Sequence, residues 1–307
     1  MAVQIVYSDK YEVDIGTHVF PTGKYRLIRE CLDREISVPG GLKFIEPPLP
    51  RDREILLAHT EEYLARLKNG TLSRDEVIKM ELPYSKQLVR GAFLSCGGTM
   101  TAAYLAVKRR LGVHIGGGFH HAFAGHGEGF CVLNDIAVAV RKLISDGTVA
   151  RAMVIDCDVH QGNGTADIFR RESRVFTFSI HQENNYPFYK PPGDLDIGLP
   201  DTAGDDMYLR SLKGHVPDIL DRFLPGLVVY VAGADPYEGD QLGNLGLTME
   251  GLAERDRFVF SCCKDRQTPV AVVLAGGYAR NHDDTVRIHV NTIEEALKVF
   301  RAAPESQ

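Results

Sequence analysis

The chain has 307 residues, 44% of them hydrophobic and 25% charged, which is the makeup of a globular protein with room for one large α/β domain. A formal net charge of -6 and the lack of any Lys/Arg cluster exclude a nucleic-acid footprint. No apolar stretch reaches the length of a membrane span. In chain order, residues 5–7 read as a first short strand, followed by a loop through Asp9, Asp14, Gly16 and His18 and a helix over 21–32. Pro39-Gly-Gly41 and Pro47-Pro48-Leu-Pro50 mark turns. Helical spacing runs over 51–67 and is closed by Asn69-Gly70. Residues 84–110 form a long amphipathic helix whose central Ser95, Gly97, Gly98 and Thr99 suit close packing. From Gly112 a regular alternation begins. Strands are expected at 113–116, 150–157, 175–180, 227–231 and 270–274, and helices at 132–145, 166–171, 205–223, 249–263 and 285–301. Such alternation implies a mostly parallel sheet covered by helices on both faces. With no repeat, low-complexity segment or linker, residues 1–307 read as one domain.

The unusual residues fall where those strands end. Gly118-Phe-His120-His121, Asp156-Cys-Asp158-Val-His160, Ser179-Ile-His181, Gly233-Ala-Asp235 and Gly276-Gly-Tyr278 follow five successive strands. Ligands of open parallel sheets bind at the carboxyl ends of the strands, so five polar or glycine-rich turns share one edge. If extended geometry persists beyond Ile155, Asp156, Asp158 and His160 converge, because alternate residues share a face. Clustered acids repel and lose solvation unless a cation neutralises them. Asp158, His160 and Asp235 make a three-ligand set with open positions, the catalytic rather than the structural zinc pattern. Its oxygen-rich donors also suit Fe(II), Co(II) or Mn(II).

The adjacent His120 and His121, after Gly116-Gly-Gly118, are placed to take a proton from water and return one to a leaving amine. Each ring needs an acceptor on its second nitrogen, and Asp156 and Asn163 are available. Tyr278, after Gly276-Gly277, can donate its hydroxyl to a developing oxyanion. The six cysteines (Cys31, Cys96, Cys131, Cys157, Cys262, Cys263) show no CxxC spacing and read as small buried hydrophobes of a reducing compartment.

Together these motifs resemble the zinc-dependent histone deacetylase family, in the family's order from Gly97 to Arg280, with Gly129-Phe-Cys-Val-Leu-Asn-Asp135 and Gly239-Asp-Gln-Leu-Gly243 adding to the match. Gly97-Gly-Thr-Met, Gly-Gly-Gly-Phe before the histidines, and His160-Gln-Gly-Asn163 resemble the class IV branch. The resemblance implies an α/β arginase/deacetylase fold with an eight-stranded, mostly parallel sheet. It implies zinc on Asp158, His160 and Asp235, His120 bonded to Asp156, His121 facing Asn163, and Tyr278 polarising the acyl carbonyl. It also implies a tunnel walled by Gly129-Phe130 and Tyr186, with Gly276 and Gly277 beside the substrate. Two structural potassium ions are implied as well, one at Asp156, Asp158, His160, Ser179 and Ile180, the other at Phe169, Glu172 and Val175.

The expected activity is zinc-dependent hydrolysis of Nε-acyl-lysine, acetyl or long fatty acyl. The alternatives are a small-molecule amidohydrolase such as an acetylpolyamine deacetylase, and a catalytically silent acyl-lysine-binding scaffold. The stretch Leu82-Pro-Tyr-Ser-Lys86 offers no acid to hold a substrate backbone, and Ala122, Ala124 and Gly125 leave room for an acyl chain. The start of the chain lacks the basic and apolar regions of a signal peptide. With no tail or nuclear signal either, the reading is a free-standing bacterial enzyme of the cytoplasm that acts on acyl-lysine peptides or small acylated amines.

Overall fold

Runs such as Met153-Val-Ile155 and Val270-Ala-Val-Val273 are apolar on both faces, which suits strands buried on both sides. A computed structural model describes residues 2–301. Its strands are β1 (Val3–Val6), β2 (Leu42–Ile45), β3 (Leu111–His114), β4 (Ala152–Asp156), β5 (Val175–Gln182), β6 (Leu195–Leu199), β7 (Val228–Val231) and β8 (Val270–Val273). They make one eight-stranded sheet in the order β2-β1-β3-β8-β7-β4-β5-β6, with every neighbouring pair parallel. The period-two alternation sorts side chains between two cores. Val154, Val229, Val231, Ala271 and Val273 face one, and Met153, Ile155, Val228, Tyr230, Val270 and Val272 face the other. Burying each such side chain contributes about 1.5–3 kcal/mol, so a one-residue slip that exchanged the faces would be strongly disfavoured.

The helices are α1 (Lys24–Glu35), α2 (Asp52–Ile55), α3 (Glu61–Asn69), α4 (Arg74–Met80), α5 (Lys86–Arg109), α6 (Asp135–Ser145), α7 (Asn163–Phe169), α8 (Asp205–Phe223), α9 (Met249–Asp265) and α10 (His282–Arg301). Residues of α1, α5 and α6 cover the first core and those of α8 and α9 the second, with α10 contributing to both. The mid-helix glycines of α5 permit its close approach to the sheet. A Cβ on Gly97 would stand 2.1 Å from the Pro48 carbonyl oxygen, and one on Gly98 would stand 2.2 Å from His114 Nε2. All six cysteines are free thiols. Among the described residues, no helix is long and apolar enough to cross a membrane.

Three departures from the sequence reading stand out. The helix expected over 51–67 is two helices, because Thr60 caps α3 by accepting from Tyr63 N at 3.3 Å while its own N–H donates to Ala124 O at 2.9 Å. α4 is additional, opened by a capping box between Ser73 and Glu76. β2 and β6, the two edge strands, are also additional. Both are short and half exposed, with Lys43 and Asp196 turned to solvent, as edges that avoid further pairing tend to be.

Candidate active site

β3, β8, β7 and β4 lie side by side, and the turns leaving their carboxyl ends carry the chemistry. Extended geometry does not persist past Asp156. The strand stops there, and Asp156 Oδ1 accepts from the Asp158 N–H at 3.1 Å, which bends the chain. Asp156 therefore turns away from the cluster to His120, while Asp158 and His160 meet Asp235 from the turn after β7. His160 Nδ1 is 3.1 Å from Asp158 Oδ1 and 3.5 Å from Asp235 Oδ2. One ligand atom from each of the three buried residues falls within 4.8 Å of the others.

The fine structure of this cluster suits a cation. Asp158 Oδ2 accepts from Gly276 N at 2.9 Å and Asp235 Oδ1 from Val159 N at 2.9 Å, which orients both carboxylates. Asp235 Oδ2 is buried with no hydrogen-bond partner, an arrangement that normally carries a large desolvation penalty. Glycine keeps the space clear, since a Cβ on Gly276 would stand 1.9 Å from that oxygen and one on Gly233 would stand 2.5 Å from Asp158 Oδ2. Burial opposes charge on His160, yet Asp158 and Asp235 outweigh it and lift its pKa to about 10. Burial and the neighbouring Asp158 together push Asp235 up to about 7. Two acids contending over one site, with a ring drawn toward the charged form, make a cavity built for positive charge. The nitrogen and carboxylate donors fit a divalent transition ion.

The turn after β3 brings up the histidine pair. His120 Nδ1 lies 2.7 Å from Asp156 Oδ2, His121 Nδ1 lies 2.7 Å from Asn163 Oδ1, and the two Nε2 atoms are 3.1 Å apart. Burial works against charge on both rings. Asp156 and Asp158 overcome it for His120, whose pKa rises to about 9. His121 has only a neutral amide and is held well below the usual histidine range by burial and by the charges of His120 and His160. The tautomers follow from these partners: an imidazolium at His120, and a neutral His121 with its proton on Nδ1 and a lone pair on Nε2.

Tyr278 closes the opposite side. Its N–H donates to Asp240 Oδ2 at 2.7 Å and its carbonyl accepts from Gln241 Nε2 at 2.9 Å, so Gly239-Asp-Gln-Leu-Gly243 braces the turn after β8. Burial raises its pKa well above the usual tyrosine value and keeps the hydroxyl a donor. A cavity of about 190 Å³ opens over the cluster, lined among others by His121, Gly129, Phe130, Tyr186, Gly276 and Tyr278. Tyr186 packs edge-on to His121, at 4.9 Å between ring centres. Phe130 holds a positive φ of 64° in the tight turn joining Glu128 and Cys131, which presents its ring to the cavity.

The lining also includes Phe20, Phe119 and Glu81, which sequence reasoning did not select. Glu81 stands one residue before Leu82-Pro-Tyr-Ser-Lys86, at the end of α4 with a φ of 57°. His18 links it to the wall, with Nε2 2.9 Å from Glu81 O and its ring edge-on to Phe130 at 4.9 Å. A second, apolar cavity of about 40 Å³ shares Phe20, Phe119 and Phe130 with the first. Ala122, Ala124 and Gly125 line neither, and the Ala122 carbonyl is engaged by Asn134 Nδ2 at 3.1 Å. The small residues beside the histidines thus do not border the cavity, and the apolar space that adjoins it lies against the phenylalanines.

A family model described as the histone deacetylase domain matches residues 18–293. The chain belongs to the histone deacetylase family. It is 41% identical over 290 residues to an uncharacterised protein of Picosynechococcus, covering 94% of this chain and 96% of that one. It is 31% identical to histone deacetylase 2 of Arabidopsis thaliana (99% and 81%) and 30% identical to the acetoin utilization protein AcuC of Staphylococcus aureus (90% and 76%). The crystal structure of the HDA15 HD domain superposes with a TM-score of 0.77 over 99% of this chain and 91% of that chain, at 23% identity, a likeness of fold.

In this deacetylase domain the remaining expected residues lie as follows. Gly277 does not line the cavity; a Cβ there would meet Thr285 and Ala234 behind it. Asp156 and Ser179 are direct partners across β4 and β5, with Ile180 next along β5. Phe169, Glu172 and Val175 follow one another in tight turns between α7 and β5, Glu172 N donating to Phe169 O at 2.8 Å and Val175 N to Glu172 O at 3.0 Å. This second group is outside the cavity lining.

Proposed function

We propose that this deacetylase-family protein is a zinc-dependent hydrolase of Nε-acyl-lysine. The observation that carries the reading is the meeting of Asp158, His160 and Asp235 beneath a narrow cavity, with a neutral imidazole on one side and a protonated phenol on the other. Asp158, His160 and Asp235 would hold the ion, which when bound supplies a Lewis acid for the acyl carbonyl and for water. His121 Nε2 takes the proton of the attacking water. The Tyr278 hydroxyl donates to the acyl oxygen as it becomes an oxyanion, a contribution of about 3–4 kcal/mol where such donors have been removed. The His120 imidazolium, held by Asp156, is the proton source for the departing lysine amine. Phe130 and Tyr186 flank the alkyl stem of the lysine. We also assign two structural potassium sites, at Asp156, Asp158, His160, Ser179 and Ile180 and at Phe169, Glu172 and Val175, supported by their adjacency across β4–β5 and in the α7–β5 turn. The branch is read as class IV from Gly97-Gly-Thr-Met and the triple glycine before Phe119.

One observation favours a second reading. Glu81 at the mouth of the cavity gives a small polycation an anionic partner, so an acylated polyamine is the competing substrate. The apolar cavity under Phe20, Phe119 and Phe130 bears on acyl length, since displacement of those rings would admit a longer chain. Purified protein assayed against acetyl-, octanoyl- and myristoyl-lysine peptides and acetylpolyamines, with and without chelator, separates these readings. Chelator-sensitive turnover of an acyl-lysine peptide is expected. Preference for the polyamines would favour the second reading, and no turnover of any acyl amide by zinc-loaded protein would favour a binding scaffold.

A further inference from the structure

Beyond the histidine pair a hydrogen-bonded chain continues outward. Asn163 Oδ1 faces His121 Nδ1 at 2.7 Å, and Asn163 Nδ2 donates to Glu128 Oε1 at 2.7 Å. Glu128 Oε2 is 2.9 Å from Lys79 Nζ and 3.2 Å from His126 Nε2. The Glu128 backbone is fixed by reciprocal bonds with Cys131, N to O at 3.0 Å and O to N at 2.9 Å. Asn163 is 1% exposed, so water does not substitute for either partner.

We propose that Glu128 is a positioning residue for His121, dictating which end of the Asn163 amide meets the ring. An amide presents an acceptor at one end and a donor at the other. A carboxylate accepts only, so Glu128 draws Nδ2 to itself and leaves Oδ1 for His121. The Gly164 N–H, donating to the same Oδ1 at 3.0 Å, supports that orientation. With Oδ1 toward the ring, His121 carries its proton on Nδ1 and keeps the Nε2 lone pair that takes the proton from water. A reversed amide would offer Nδ2 to Nδ1, drive the ring proton to Nε2 and abolish the base. The same geometry explains why residue 163 is an amide. An aspartate there would put two carboxylates at about the present 2.7 Å separation, which disfavours charge on one of them. The amide accepts from His121 while donating to Glu128 without putting a second charge beside it. Burial opposes charge on Glu128, but His126, Lys79 and Asn163 prevail and hold its pKa at about 2, so the carboxylate is available at every working pH.

The kinetic arm of the test rests on the acyl-lysine reading above; the spectroscopic arm does not. In zinc-loaded enzyme acting on an acetyl-lysine peptide, Glu128→Gln and Glu128→Ala are each expected to lower kcat by about 10- to 100-fold, as loss of such supporting partners does, with KM unchanged. Glu128→Gln keeps the volume of the side chain but offers Asn163 either polarity. Introduced into Asn163→Ala, neither substitution should lower kcat further. Nitrogen-15 NMR of the histidine rings should place the His121 proton on Nδ1 in the wild type and move it wholly or partly to Nε2 in both Glu128 variants. Wild-type kcat in both variants, a full repeat of the loss in Asn163→Ala, or an unmoved ring proton would overturn the inference. A wild type inactive on acyl-lysine whose ring proton still shifts would overturn the substrate reading and leave the role of Glu128 standing.

Discussion

Tyr278 and Glu128 show how single side chains at this site acquire their states from their surroundings. Tyr278 has no carboxylate on its hydroxyl, and burial keeps it a phenol. Tyr278→Phe removes one donor and no packing volume from the ring. It is expected to lower kcat about 10²- to 10³-fold while zinc content, measured by atomic emission, stays at the wild-type level. Glu128 makes a prediction about stability. Its pKa is depressed from an ordinary 4.5 to about 2 in the folded state, so its contribution is fully present above 4.5 and fades as pH falls toward 2. The deficit of Glu128→Gln relative to wild type, on the order of 1–2 kcal/mol after solvent screening, should be visible in urea melts at pH 6 and shrink steadily between pH 5 and 3. Glu81 was hidden from sequence reading for a conformational reason. Its left-handed backbone at the end of α4 turns it to the cavity mouth, and α4 carries little sequence signal beyond the capping-box spacing of Ser73 and Glu76.

Secondary elements divide by how strongly burial shapes their sequence. β4, β7 and β8 are buried along their whole length and read directly as apolar runs, and α8 spans Asp205–Phe223 as its periodicity suggests. β2 and β6 have one neighbour each and mix apolar with charged residues, so no run marks them. The 51–67 segment keeps helical spacing through a break that only Thr60 and its bond to Ala124 reveal. The glycines of α5 were legible as packing residues, and their demand is severe. Gly97→Ala would press a methyl group against the Pro48 carbonyl. It is expected to destabilise the protein by about 1–3 kcal/mol, read as a lowered urea midpoint at unchanged slope.

For the molecule as a whole, a parallel sheet explains why residues from four separate chain segments between His120 and Tyr278 meet at one edge. β3, β8, β7 and β4 lie side by side although only β7 and β8 are consecutive strands in the sequence, and their carboxyl ends deliver His120 and His121, Tyr278, Asp235, and Asp158 with His160. This placement could be anticipated because it depends on strand polarity alone. The roles within it do not follow from polarity: Asp156 and Asp158 differ by two residues, yet one meets His120 and the other joins His160 and Asp235, a division that only the family resemblance implied. The wider charge distribution fits the same account. Asp158, Asp235 and Asp240 are buried together, and burial lowers the pKa of the fully buried Lys24 to about 8 while these acids resist the fall. Lys24 directs its ammonium to the Ala275 carbonyl, 2.6 Å away, rather than to any of the three carboxylates. The most direct measurement is calorimetric titration of zinc into metal-stripped protein, paired with acyl-lysine turnover on the same samples. The account predicts one ion per chain, turnover restored in proportion to occupancy, and loss of both in Asp235→Ala. Undiminished turnover by stripped protein, or equal zinc binding by Asp235→Ala, would contradict it.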